Sequence, residues 1–210
     1  MKKTDTLNLL EILILLGIPM LSYSLGLAYI ILVILIILVS WYFRKEKIAD
    51  YGFRPVQAGM LLLAAGTGIA FGLADNYLLE PLVNRITGKS PDLSTFANIR
   101  GNLVGMFTLL AIGWVIGGFF EEFFFRGYLL NRINLALHSR PAGKWIGIAV
   151  TSIAFAIAHL YQDTGGMINT FYFSVILGLL FYFFKRNVWY AILVHGFYDT
   201  VGIIFLYLGK

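Results

Sequence analysis

The stretch Gly117-Gly-Phe-Phe-Glu-Glu-Phe-Phe-Phe-Arg-Gly-Tyr128 sets two acids and an arginine among glycine and phenylalanine. On a helix Glu122 and Arg126 are i,i+4 neighbours able to pair, whereas Glu121 points about 100° away from Glu122. Glu122 beside its arginine stays ionised; Glu121, desolvated next to another acid, suits a general base working near neutral pH. Two further clusters follow. In TSIAFAIAHLYQ, His159 closes an apolar run one turn after Phe155, and in YAILVHGFYDTVG, His195 and Asp199 share a helical face at i,i+4. A glutamate and two histidines can activate water by general base catalysis. The same Glu121, His159 and His195 could instead hold zinc, leaving one position for water. HExxH does not occur, so a zinc set would have to be drawn from three helices, and the cofactor stands as none or zinc. The absence of cysteine excludes thiol nucleophiles, thiolate ligands and disulfides.

Each cluster also has a plainer reading. EExxxR can mark a helix end whose charges snorkel into headgroups, a lone histidine is commonly a satisfied residue, and a His-Asp pair can be a polar contact inside a bundle. Against the first of these, Gly113, Gly117 and Glu121 fall on one face at i, i+4 and i+8, so the acid shares the face small enough for close helix packing. A charge inside hydrocarbon costs several kcal/mol unless it is paired or faces a protein interior, which makes such clusters functional candidates.

The elements that position these residues are membrane helices. The 210 residues are 59% hydrophobic and 13% charged, with a mean hydropathy of +0.80. Apolar runs span Leu7 to Phe43, Ala58 to Leu79, Gly101 to Gly118, Trp145 to His159, Met167 to Phe184 and Val188 to Leu208. Most are near the roughly 20 residues that cross a bilayer. The first is long enough for two helices and contains Gly17, Pro19 and Gly26, so it reads as a hairpin. The expected fold is an all-α polytopic membrane protein with about seven transmembrane helices in one bundle. Asp5 and Glu11 interrupt the N-terminal hydrophobic stretch, which reads as a retained anchor and not a cleaved signal.

The net charge of +5 does not argue for nucleic acid, because the cations sit between spans. Lys2 and Lys3, then Arg44, Lys45, Lys47 and Arg54, then Arg132, Arg140 and Lys144, then Lys185 and Arg186 all fall on one side of a seven-span topology. The positive-inside rule makes that side cytoplasmic, with the N-terminus inside, Lys210 outside, and Glu80 to Arg100 as an external loop of a multi-pass plasma-membrane protein. Counting about 1.5 Å per residue from the basic ends puts Glu121 about 17 to 24 Å deep, His159 about 20 Å and His195 about 14 Å, so the three can meet within the bilayer. A cavity between them is expected to open towards the cytoplasm. His138 and Asp163 read as solvated, and Asp75 and Asn76 as interfacial.

Taken together, Glu121-Glu122-Phe-Phe-Phe-Arg126, Phe155-Ala-Ile-Ala-His159 and His195-Gly-Phe-Tyr-Asp199 resemble the ordered motifs EExxxR, FxxxH and HxxxN or HxxxD of the CPBP family of intramembrane proteases. This family, also called the CAAX protease and bacteriocin-processing or ABI family, includes the type II CAAX prenyl endopeptidases. The resemblance covers about half the chain, a catalytic core over 101–208; the spans in 1–100 carry no signature, apart from YGFRP, which resembles a common linker. It implies an intramembrane endopeptidase acting on membrane-associated or lipidated peptides, prenylated CAAX-type or bacteriocin leader, in contact with the lipid bilayer. Glu121 and His159 would activate water, Glu122 and Arg126 would form a structural or electrostatic pair, and His195 with residue 199 would support the oxyanion. Many relatives have Asn where this chain has Asp199, which must be protonated, orient His195 or help hold a metal. The other readings are a non-catalytic immunity or scaffold protein on the same fold, and a transporter with a polar ion site, which would predict paired broken helices.

Overall fold

A computed structural model describes residues 3–26, 28–137 and 141–209; His138, with Lys2, Arg140 and Lys210, lies outside the described residues. The described residues are helical without strands and form seven apolar helices: α1 (Lys3–Gly17), α2 (Ala28–Arg44), α3 (Ala58–Thr87), α4 (Leu103–Ala136), α5 (Pro141–Ala158), α6 (Asp163–Phe183) and α7 (Val188–Leu208). The last five are long and apolar enough to cross a membrane; α1 and α2 are shorter. The expected hairpin is present, turning through Ile18–Leu21, Ser22–Leu25 and Gly26 with its φ of 52°. Local chemistry sets several ends. Asn102 and Asn187 cap α4 and α7 by accepting from Gly105 N and Trp189 N, satisfying donors that the first turn leaves free. Outward faces keep large apolar side chains exposed, Leu13, Leu35, Val104 and Val115 among them, as a lipid surround requires.

Two helices run further than hydropathy indicates. The third was expected to end at Leu79 and give way to a loop from Glu80, yet α3 continues to Thr87 and the loop begins at Gly88. A π-helical turn over Asp75–Leu79 carries the chain into a polar last segment, which stops where Gly88 adopts the left-handed region. The fourth was expected to end near Gly118, yet α4 runs 34 residues to Ala136, about 50 Å, with Glu121 near its middle. Both halves of the EExxxR stretch are π-helical, over Gly113–Glu121 and Phe123–Leu129.

Helix α7 packs between α3 and α4. Ala64, Gly68 and Gly72 form a buried small-residue stripe on α3, and a methyl added at Gly68 would stand 2.5 Å from the Val194 carbonyl oxygen of α7. At one end of the bundle the linker after α2 ties these helices together: Val188 N donates to Gly52 O, Asn187 Nδ2 to Pro55 O and Asn131 Nδ2 to Asp50 O. The same end holds the ion pairs Arg44–Glu11 and Arg132–Glu46, with Tyr128 donating to Glu11. At the opposite end Asp92 N donates to Gln162 O and Gly101 N to Tyr207 O, joining the α3–α4 loop to the α5–α6 turn and to the last turn of α7.

Glu46 makes the linker end pH-sensitive. Burial opposes its charge, but hydrogen bonds from Arg132 and Tyr51 and the positive charges of Arg132 and Arg44 outweigh this and hold its pKa below the ordinary 4.5. The folded value lies below the unfolded one, so its stabilisation is complete above about pH 4.5 and is lost as pH falls through the folded value. Glu46→Gln is therefore expected to lower detergent-solubilised stability by about 1 kcal/mol at pH 7. The gap from wild type should close in melts taken at progressively lower pH below 4.5.

Candidate active site

The three motifs converge on one cavity of about 680 Å³, whose walls include Glu121, Phe155, His159, His195 and Asp199. Their helices are brought there by glycine. A methyl at Gly117 would fall 2.6 Å from Asp199 Oδ2 and 3.4 Å from His195 Nε2, so α4 and the polar face of α7 approach closely only because that position is bare. Gly117→Ala is expected to cut cleavage at least tenfold while leaving the detergent melting temperature nearly unchanged. The atom in the way is the movable end of Asp199, so the site rearranges before the bundle does.

The two glutamates have separate surroundings, as their spacing suggests. Glu122 is fully buried; its Oε1 accepts from Arg126 Nη1 at 2.7 Å and from His195 Nδ1 at 2.8 Å. Arg126, also buried, donates through Nη2 to the carbonyl and hydroxyl oxygens of Ser174 on α6 and stands over the Phe155 ring, 5.2 Å from its centroid. One arginine thus ties α4 to α6 and rests on α5. Glu121 faces the cavity, and among the described residues no side chain hydrogen-bonds its carboxylate.

His159 follows the last residue of α5 at the start of a 3-10 turn. Its Nδ1 lies 2.8 Å from Phe155 O. A carbonyl only accepts, so Nδ1 carries the proton and Nε2 keeps its lone pair. The phenylalanine of FxxxH therefore contributes both its ring, 4.5 Å from the histidine ring by centroids, and its backbone oxygen. Of the three roles open to Asp199, orienting His195 through its Nδ1 proton is taken by Glu122. The His195 Nδ1–H donates to Glu122 across two helices, while Asp199 Oδ1 sits 3.5 Å from Nε2, within ion-pair reach but long for a hydrogen bond.

The alternative zinc set fares differently. Among the described residues no group of three His, Asp or Glu side chains is arranged to hold a metal ion. His195 holds Nδ1 on Glu122 and turns Nε2 towards Asp199.

Asp75, read from the sequence as interfacial, is buried within the bundle and accepts from Tyr172, Tyr198 and Asn169 along the same cavity, whereas Asn76 is half-buried. An acid within an apolar run was the available signal. Asp163 is exposed as expected. The cavity was expected to open at the end bearing the basic linkers. It instead extends past Asp75 to Asn84, Ser90 and Phe96, at the end built from the α3–α4 loop. At the linker end, Gly52, Pro55 and Asp50 accept hydrogen bonds from Val188, Asn187 and Asn131, which joins the linker to α4 and to the start of α7.

The family model described as Type II CAAX prenyl endopeptidase Rce1-like matches residues 103–201. No curated protein and no solved structure matches the chain. The matched segment contains all three motifs and, of the cavity's walls, Glu121, His159, His195 and Asp199; Asp75 and Glu80 lie outside it. Over that segment, just under half of its length, the chain is similar to the type II CAAX prenyl endopeptidases.

Proposed function

We propose that the chain is an intramembrane endopeptidase that hydrolyses membrane-associated peptides with water activated by Glu121 and His159, the catalytic part lying within 101–208. The observation that carries this is the pairing of a cavity-facing Glu121 without a hydrogen-bonded partner among the described residues with a His159 whose Nε2 lone pair is free in the same cavity. Glu121 takes a proton from water as its oxygen adds to the scissile carbonyl carbon; the C–N bond then breaks, and the proton passes to the leaving amine. His159 Nε2 positions the water, and His195, held by Glu122, presents its remaining ring nitrogen to the developing oxyanion when protonated. The closed Glu122–Arg126–Ser174 network fixes His195 in place, a role in keeping with a structural pair.

The test is cleavage of a panel of fluorogenic membrane-tethered peptides by detergent-purified protein, with His159→Ala alongside and with chelator present or absent. Loss of cleavage in His159→Ala with wild-type activity untouched by chelator supports this reading. Chelator-sensitive activity restored by zinc would replace it with metal chemistry, and a well-folded wild type that cleaves nothing would favour the immunity or scaffold reading.

A further inference from the structure

We propose that the cavity faces the extracytoplasmic side and that its substrate is an internal segment of an exported, membrane-anchored chain; the substrate part rests on the endopeptidase reading above. Orientation of short-looped membrane proteins follows the cations, with acids contributing little. Among the described residues the linker end carries Arg44, Lys45, Lys47, Arg54, Arg132, Lys144, Lys185 and Arg186, while the mouth end carries Arg85, Lys89 and Arg100. The larger group is cytoplasmic by that rule, so the mouth at Asn84 and Ser90 is outside. A peptide in the cytoplasm would meet the linker end, where linker backbone and side chains bond the tips of α4 and α7.

The chemistry of the walls agrees. The acids and bases lining the cavity, its three tyrosines aside, are Asp75, Glu80, Glu121, Asp199 and the two histidines, and no Lys or Arg among the described residues lines it. A peptide ending in a CAAX sequence brings its free carboxylate within three residues of the prenylated cysteine. Such an anion would meet four carboxyl groups with no Lys or Arg among the described residues to receive it. An internal segment, its nearest charge neutral or basic, avoids this.

The chain has no cysteine, so single substitutions report cleanly on side. Asn84→Cys and a loop variant, Thr95→Cys, are expected to react with a membrane-impermeant maleimide in intact cells, and Lys47→Cys and Ala142→Cys only after lysis. Protection of residues 84 and 95 with labelling of 47 and 142 in intact cells would overturn the orientation. For the substrate, purified protein is given a tethered peptide with an internal lysine-flanked segment and one ending in a free carboxylate three residues past a prenylated cysteine. At least tenfold faster cleavage of the first, narrowed by amidating the second, supports the proposal, and the reverse preference overturns it. Labelling needs no catalysis, so cleavage of neither peptide would overturn the endopeptidase reading while the orientation result stands.

Discussion

Glu121→Gln is expected to lower cleavage of membrane-tethered peptides by about 10²- to 10⁴-fold, the contribution of a positioned general base. The substitution keeps shape and polarity and removes only the ability to take a proton. No side-chain hydrogen bond among the described residues is lost with it, so the melting temperature in detergent should stay within a few degrees of wild type. The comparison with Glu122→Gln matters. Glu122 Oε1 serves Arg126 and His195, and its replacement should disturb stability as well as activity. Kinetics of both variants against one substrate would separate base from scaffold. Activity of Glu121→Gln within about threefold of wild type would remove the proposed mechanism.

Much of this arrangement was readable from the chain. Seven helices follow from run length, because hydropathy measures how much chain a bilayer can hold. The Glu122–Arg126 pair and the separation of Glu121 follow from helical angles alone, and Gly113 and Gly117 marked the face against which α7 packs. Four features were not readable. Spacing arguments assume one helical repeat, and nothing in GGFFEEFFFRGY announces i→i+5 bonding. The Glu122–His195 bond links residues on different helices, so the HxxxD spacing left orientation by Asp199 as one of three roles, while a closer carboxylate from α4 takes that place. Depth counted along a helix also says how far a residue lies from each end but not which end is open. The close seat of the linker was equally hidden: it needs Gly52, whose φ of 90° and approach to Arg186 O suit no side chain.

The largest loss of stability is expected from Arg126→Met, about 3–5 kcal/mol, because it leaves a buried carboxylate without its cation. Glu122 and Arg126 are 0% and 1% exposed as side chains, so no solvent is at hand to take over when one partner goes. The double variant Glu122→Gln with Arg126→Met should recover most of that loss, since removing both charges together avoids an orphan ion. The amide carbonyl then present at position 122 can still accept from His195 Nδ1–H, so the ring that faces Asp199 keeps its orientation. The measurement is a double-mutant cycle of unfolding in mixed micelles, read beside cleavage. A single variant as destabilised as the double would mean that the network acts through packing around Phe155 and Ser174, and that charge pairing is secondary. Recovery of stability together with partial activity in the double variant would instead show that Arg126 acts by holding Glu122, and through Glu122 the histidine that meets the substrate.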